Sequence, residues 1–161
     1  MEYQPLEVPD VPPAMMRRVG ALLGLASQAA QEAGNEALAP LGLSVKDFAV
    51  LTFLREAERV SGPSLFSQQA IGERLRIDRT TMVAVIDELE QAGLVRRERN
   101  PDDRRAYAIK LTRQGARMQA RAEKALDALM NDHYLAPLSE AERQTLAELL
   151  TRLVERSEQS R

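Results

Sequence analysis

Over the first quarter of the chain, apolar residues return at three- and four-residue steps. Val19, Leu22, Leu23, Ala26, Ala30 and Ala33 make one broad stripe, which predicts a helix over residues 14–38. The run Ala39-Pro40-Leu41-Gly42 ends it. Ser44, with Asp47 three positions on, has the form of a capping box for a second helix over residues 44–59, whose core face is Phe48, Leu51 and Leu54. The Ser-Gly-Pro-Ser run after Val60 reads as a loop.

Ser67 caps a short helix ending near Leu75, with Ala70, Ile71 and Leu75 turned inward. Arg76-Ile77 forms a tight turn, and Asp78 caps a longer helix over residues 79–91 with Met82, Val85, Ile86 and Leu89 inward. Gly93 suits the left-handed position after that helix. Two helices joined by so short a turn make a helix-turn-helix pattern. Residues 94–99 read as a strand, Asn100-Pro101-Asp102-Asp103 as a turn, and residues 106–111 alternate like a returning strand, so a hairpin wing follows. Residues 112–134 predict a long helix, with Met118, Ala122, Ala125, Leu126, Leu129 and Met130 apolar. Pro137 breaks the chain. Ser139 and Glu142 form a second capping box, ahead of a last helix whose face is Leu146, Leu149, Leu150, Leu153 and Val154.

Two stretches carry a family resemblance: IDRTTMVAVIDELEQAGLVRR (residues 77–97) and NPDDRRAYAIKLTRQG (residues 100–115). At this separation, flanked by helices at both ends, they resemble the recognition helix and wing of the MarR family of bacterial winged helix-turn-helix transcription regulators. The resemblance covers nearly the whole chain. It implies a mainly α (α+β) fold, a winged helix-turn-helix with a two-stranded β-hairpin wing and N- and C-terminal dimerisation helices. One MarR-type domain would occupy residues 1–161, with a dimerisation lobe of residues 11–43 and 112–158 and a DNA-binding lobe of residues 44–111. The function implied is sequence-specific binding of a palindromic double-stranded operator by a homodimer. Such a repressor would lose DNA affinity on binding a small phenolic or aromatic anion in a cleft between the lobes.

Composition narrows the field. The 161 residues are 44% hydrophobic and 29% charged, as in a folded globular protein. The absence of cysteine excludes disulfides, Cys-ligated metal and thiol chemistry, and His133 is the only histidine, so no metal or other cofactor is expected. The Pro-rich, acidic N-terminus is the opposite of a signal peptide, and no apolar run approaches a membrane span, so a cytoplasmic protein with no membrane partner is expected. All but Lys46, Lys110 and Lys124 of the 22 basic residues are Arg, which fits either nucleic-acid recognition or the codon bias of a GC-rich genome. Position favours the former. Residues 96–113 hold seven basic and three acidic side chains, a local +4 against −6 in the rest of a chain whose net charge is −2. Three Phe, three Tyr and no Trp argue against a stacking platform for single strands.

The first turns of a groove-bound helix reach the base edges. Those positions here are Arg79, Thr80 and Thr81, with Val83 and Ala84 a turn later. Arg79 suits guanine or phosphate, and the threonines suit phosphate or a thymine methyl, although Thr81 also fits local capping behind Asp78. The apolar pair Val83 and Ala84 departs from the family, where polar and basic residues are common there, and favours methyl contacts and DNA shape. Ser67 and Gln68 sit at a helix start suited to phosphate, and Arg97 and Arg104 are further phosphate candidates. By resemblance, Arg105 enters the minor groove from the wing tip, braced by Asp103. Candidates for the effector cleft are Met16, Arg18, Phe48, Phe53 and Arg55, although Met and Phe at helical spacing also read as plain core. Rival readings are an enzyme, against which no catalytic constellation stands out, and a winged-helix interaction module, for which the basic wing would be dispensable.

Overall fold

The computed structural model describes residues 12, 15, 18–62, 66–99 and 107–159. Among them the elements run α1 (Val19–Leu38), α2 (Val45–Ser61), α3 (Gln68–Leu75), α4 (Arg79–Gln91), β1 (Val95–Arg99), β2 (Tyr107–Leu111), α5 (Arg113–Leu129) and α6 (Glu140–Gln159). The mainly α winged helix-turn-helix expected from the sequence is the observed fold. β1 and β2 pair antiparallel, from Val95 opposite Leu111 to Arg99 opposite Tyr107.

Side-chain caps place most helix starts. The Ser44 hydroxyl accepts from Asp47 N at 3.2 Å while Ser44 N donates to the Asp47 carboxylate at 2.7 Å. Ser67 and Asp78 accept from Ala70 N and Thr81 N in the same way, at 3.2 and 3.0 Å. Ser139 and Glu142 reciprocate ahead of α6. Each cap satisfies an amide that the helix itself leaves orphaned. α4 ends as expected at Gly93, whose φ of 72° is easy only for glycine.

The core is a single cluster. Leu51 and Leu54 of α2, Ile71 of α3, Met82, Ile86 and Leu89 of α4, and Val95 and Ile109 of the hairpin are all buried. The hairpin closes onto α5 at one junction. Thr112 N donates to Leu94 O at 3.0 Å, and the Thr112 hydroxyl donates to Gly93 O at 2.7 Å while accepting from Gly115 N at 2.9 Å.

Three features differ from the periodicity. α1 begins at Val19; most of the five residues predicted ahead of it lie outside the described set. The predicted long helix stops at Leu129, and Met130–Tyr134 winds on as a wider π turn. Arg143 of α6 donates to Asn131 O within this turn and to Leu135 O and Leu138 O just after it, at 3.1–3.2 Å. The Tyr134 hydroxyl reaches Ala26 O on α1 at 2.6 Å. The third is a short edge added to the wing: Ser67 bridges Ala108, and Ile109 N donates to Phe66 O at 2.9 Å.

α6 is exposed throughout residues 144–156. Among the described residues no single helix is long and apolar enough to cross a membrane.

A Cβ on Gly115 would lie 2.0 Å from Leu94 O and 2.9 Å from Leu111 Cδ1. Backbone cannot yield there, so Gly115→Ala should destabilise the fold by about 3 kcal/mol or more, read by urea denaturation. A near-neutral effect would mean that the junction is looser than described.

Candidate nucleic-acid interface

α3 and α4 meet across a turn in which Arg76 takes the left-handed conformation, φ 54°. A cleft of about 750 Å³ at this elbow brings together Gln68, Arg79 and Val83, three of the residues singled out from the sequence. The buried side of α4 is Met82, Val85, Ile86 and Leu89, so its exposed side is Arg79, Thr80, Val83, Ala84 and Asp87, continued towards the C-terminal end by Glu88 and Gln91. Such a stripe follows from the 3.6-residue period once the core face is set. Thr81 lies to one side of it. Its hydroxyl donates to Asp78 at 2.6 Å and its amide to the other carboxylate oxygen, so Thr81 serves the cap. The Thr81 hydroxyl, followed by its amide, holds the Asp78 carboxyl below its ordinary value of 3.8.

Arg97, expected to meet phosphate, points inward instead. Its guanidinium donates to Glu90, to Asp87 at 2.5 Å and to Gln68 Oε1 at 3.2 Å, while its amide donates to Glu90 at 2.8 Å. One side chain thereby ties β1 to both helices of the helix-turn-helix. Burial opposes its charge, but the bonds to Asp87 and Glu90 outweigh that and raise its pKa above the ordinary value. Gln68, predicted at phosphate, has its side-chain carbonyl in this network.

The basic hairpin is also thinner than its sequence sum. Lys110 is buried, and Arg96 pairs with Glu98 at 2.6 Å. Arg99 and Arg113 are exposed. Asp103, Arg104 and Arg105 lie outside the described residues. Ser67 is half-buried, its hydroxyl on Ala70 N and its backbone against Ala108.

The effector candidates divide. Phe48 and Phe53 line one groove of about 580 Å³ on α2, with Thr52, Phe66, Arg74 and Leu75. Phe53 and Phe66 meet edge to face at 5.1 Å, and the Arg74 guanidinium lies 4.7 Å over the Phe66 ring. Both predicted phenylalanines also pack on the core, as their helical spacing allows. Arg55 is turned away from this groove. It donates to Gln119 of α5, which in turn donates to Thr52 at 3.2 Å, a buried polar link between α2 and α5. Arg18 caps α1 by position only, exposed and away from the groove, and Met16 lies outside the described residues. Phe66 and Arg74 were not singled out from the sequence. The nearest signal was the Ser67 cap, which fixes the start of α3 and so the side on which Arg74 falls.

Comparison with known proteins agrees with this architecture. A sequence model of the MarR family matches residues 41–106. A transcriptional regulatory protein assigned to the hcr operon of Thauera aromatica is 41% identical over 87 residues, 54% of this chain and 52% of that protein. The regulator PecS of Dickeya dadantii is 32% identical over 117 residues, 69% of this chain and 64% of its own length. The chain thus spans between about half and two thirds of these relatives. Among solved structures, the transcriptional repressor CouR bound to a 23-mer DNA duplex superposes with a TM-score of 0.74 at 31% identity, covering 85% of this chain and 92% of that one. CouR from Rhodococcus jostii RHA1 bound to p-coumaroyl-CoA gives 0.71 at 27% identity, over 86% and 93%. The chain belongs to the MarR family, whose members are transcription regulators and not enzymes.

Two measurements check the local electrostatics. A double-mutant cycle of Arg97→Gln with Glu90→Gln should give a coupling of about 1 kcal/mol that weakens as salt is added, since both groups retain some exposure. Zero coupling would remove the brace. The lowered Asp78 pKa means that the capped carboxylate stabilises α4 above pH 3.8, and this is lost as pH falls through the lower folded value. Asp78→Asn, which caps without titrating, should abolish that acid loss in amide exchange of α4.

Proposed function

We propose that this chain is a homodimeric, sequence-specific regulator of transcription that binds a palindromic operator in double-stranded DNA. The observation that carries the reading is the outward stripe of α4, held beside an Arg-rich hairpin in a fold whose relative CouR has been seen on a DNA duplex. α4 enters the major groove with Arg79 and Thr80 leading, and the wing, with Arg104 and Arg105 at its tip and Asp103 bracing Arg105, follows the backbone into the minor groove. Ser67 and the α3 amide end support a phosphate contact. The chain works where its DNA is, in the cytoplasm.

Dimerisation is supported by apolar surface that the single chain leaves in water. Leu149 and Leu153 of α6, 49% and 53% exposed, flank Val19, 71% exposed, and Leu23 of α1 in one groove. Faces of this kind on two helices suit a second copy, whose symmetry then matches a palindrome.

Regulation as a repressor relieved by a small aromatic anion fits the groove on α2. Phe48, Phe53 and Phe66 offer ring contacts, and Arg74 offers a guanidinium for a carboxylate or phenolate. α3 contributes to this groove through Arg74 and Leu75, and to the helix-turn-helix cleft through Gln68 and Glu73. A ligand that shifts α3 therefore changes the DNA-facing elbow. CouR, described as a repressor and solved with p-coumaroyl-CoA, supports the same logic.

Titration of the purified protein against the intergenic DNA beside its own gene, at two salt concentrations, tests the reading. Salt-sensitive binding with two chains per site is expected, and no preference over random DNA would overturn it in favour of an interaction module. Arg105→Ala should weaken that binding about tenfold and lower the salt slope by about one unit. Leu149→Asp with Leu153→Asp should leave a folded monomer in sedimentation analysis, since both side chains are half-exposed in the single chain.

A further inference from the structure

The outward face of α4 is poor in groups that read bases by hydrogen bonding. Thr81 is engaged by Asp78 and Asp87 by Arg97, both through bonds already described. Among the described residues, the polar members of the exposed side without such engagement are Arg79 and Thr80 in the first turn and Glu88 and Gln91 at the far end. The centre of the stripe is Val83, 42% exposed, and exposed Ala84. Thr80 precedes them by three and four residues, so its methyl group lies on the same patch. Single exposed apolar residues are ordinary on protein surfaces, and here position decides. This patch occupies the part of the helix that would lie deepest in the groove.

The floor of the major groove presents one apolar group, the 5-methyl of thymine, and Ala and Thr methyls are established partners for it. We infer that Val83, with Ala84 and the Thr80 methyl, forms an apolar platform that reads thymine 5-methyl groups at the centre of each half-site. The inference rests on the DNA-binding reading above and names what that surface selects. Arg79, one turn earlier and at the edge of the platform, takes a guanine or a phosphate next to the thymines. Asp87 stays out of the reading because Arg97 neutralises it, which also removes a carboxylate that would repel the DNA backbone.

The test uses the full chain and duplexes selected by it from a random pool. The best duplex is resynthesised with deoxyuridine replacing thymidine one position at a time, which removes only the methyl and leaves pairing and the O4 acceptor unchanged. At one or more thymines in each half-site, binding should fall about three- to fivefold, the size expected for one buried methyl. Val83→Ala should fold normally, because the side chain is exposed, and should lose most of that discrimination because both γ-methyls are removed, whereas Val83→Thr, which keeps one γ-methyl, should retain part of it. A methyl effect that comes from duplex shape would be the same in Val83→Ala, and that result overturns the assignment to Val83. Indifference of the wild type to every replacement overturns the platform while leaving DNA binding intact. Failure to select any sequence from the pool overturns the DNA-binding reading, and the inference with it.

Discussion

The carbonyl of Leu94 accepts from the amide of Thr112 at 3.0 Å and from its hydroxyl at 3.1 Å, and a Cβ on Gly115 would lie only 2.0 Å from it. α4 has just ended there, β1 begins at the next residue, β2 has just closed and α5 is starting. Four elements take their relative positions from one carbonyl. The pair Val95 and Leu111 then zips the base of the hairpin, so the wing leaves α4 at a set angle and α5 departs towards α1 and α2. Threonine is needed because its hydroxyl both donates to Gly93 O and accepts from Gly115 N, which satisfies two backbone groups that the helix ends leave open. Glycine is needed because no Cβ fits.

Above this junction, charge is used for rigidity before it is used for contact. A guanidinium on an exposed hairpin can meet phosphate, but Arg97 is half-buried between two carboxylates of α4 and the side chain of Gln68. Internal pairing gives up one contact to DNA. In return it locks the wing to the helix-turn-helix and screens Asp87 and Glu90, two negative charges on the helix proposed to enter the groove. A local sum of +4 counts Arg97 and Lys110 as free surface charges, whereas Lys110 is buried and Arg97 is paired with Asp87 and Glu90.

The opposite end of the molecule is governed by area. α1 and α6 carry apolar stripes of the same kind as α2 and α4, yet Val19, Leu149, Leu153 and Val154 stay in water in the single chain. The corner between α5 and α6 is well made, with Arg143 donating to three carbonyls and Tyr134 bonding α1, so α6 is held out as an ordered helix rather than left loose. Ordered apolar surface of this extent is what the proposed dimer would remove from water.

Local rules reached far along this chain. The caps at Ser44, Ser67, Asp78 and Ser139 and the left-handed Gly93 each depend on neighbours within a few positions, so the element order and the helix-turn-helix with its wing were legible from residues alone. β2 forms where a returning strand was expected, but it buries Ala108, Ile109 and Lys110 in a row rather than alternating. The outward stripe of α4 was legible for the same reason, because fixing Met82, Val85, Ile86 and Leu89 as the core face leaves Arg79, Thr80, Val83 and Ala84 outside. What the amino acids did not disclose depends on partners far away in the chain. Arg97 meets Gln68, 29 residues earlier, and Arg55 meets Gln119, 64 residues later, so the expected phosphate ligand became a brace and the expected pocket arginine an interhelical link. The single bridge from Ser67 to Ala108 is too short to leave a period, and the π turn after Leu129 is joined to distant residues, with Arg143 reaching into it at Asn131 O and Tyr134 reaching out to Ala26 O. Sequence determined which faces are apolar and where each helix starts, because those are short-range matters of period and capping. Tertiary structure decided which charges remain available to a partner, because only packing brings a guanidinium to its carboxylate.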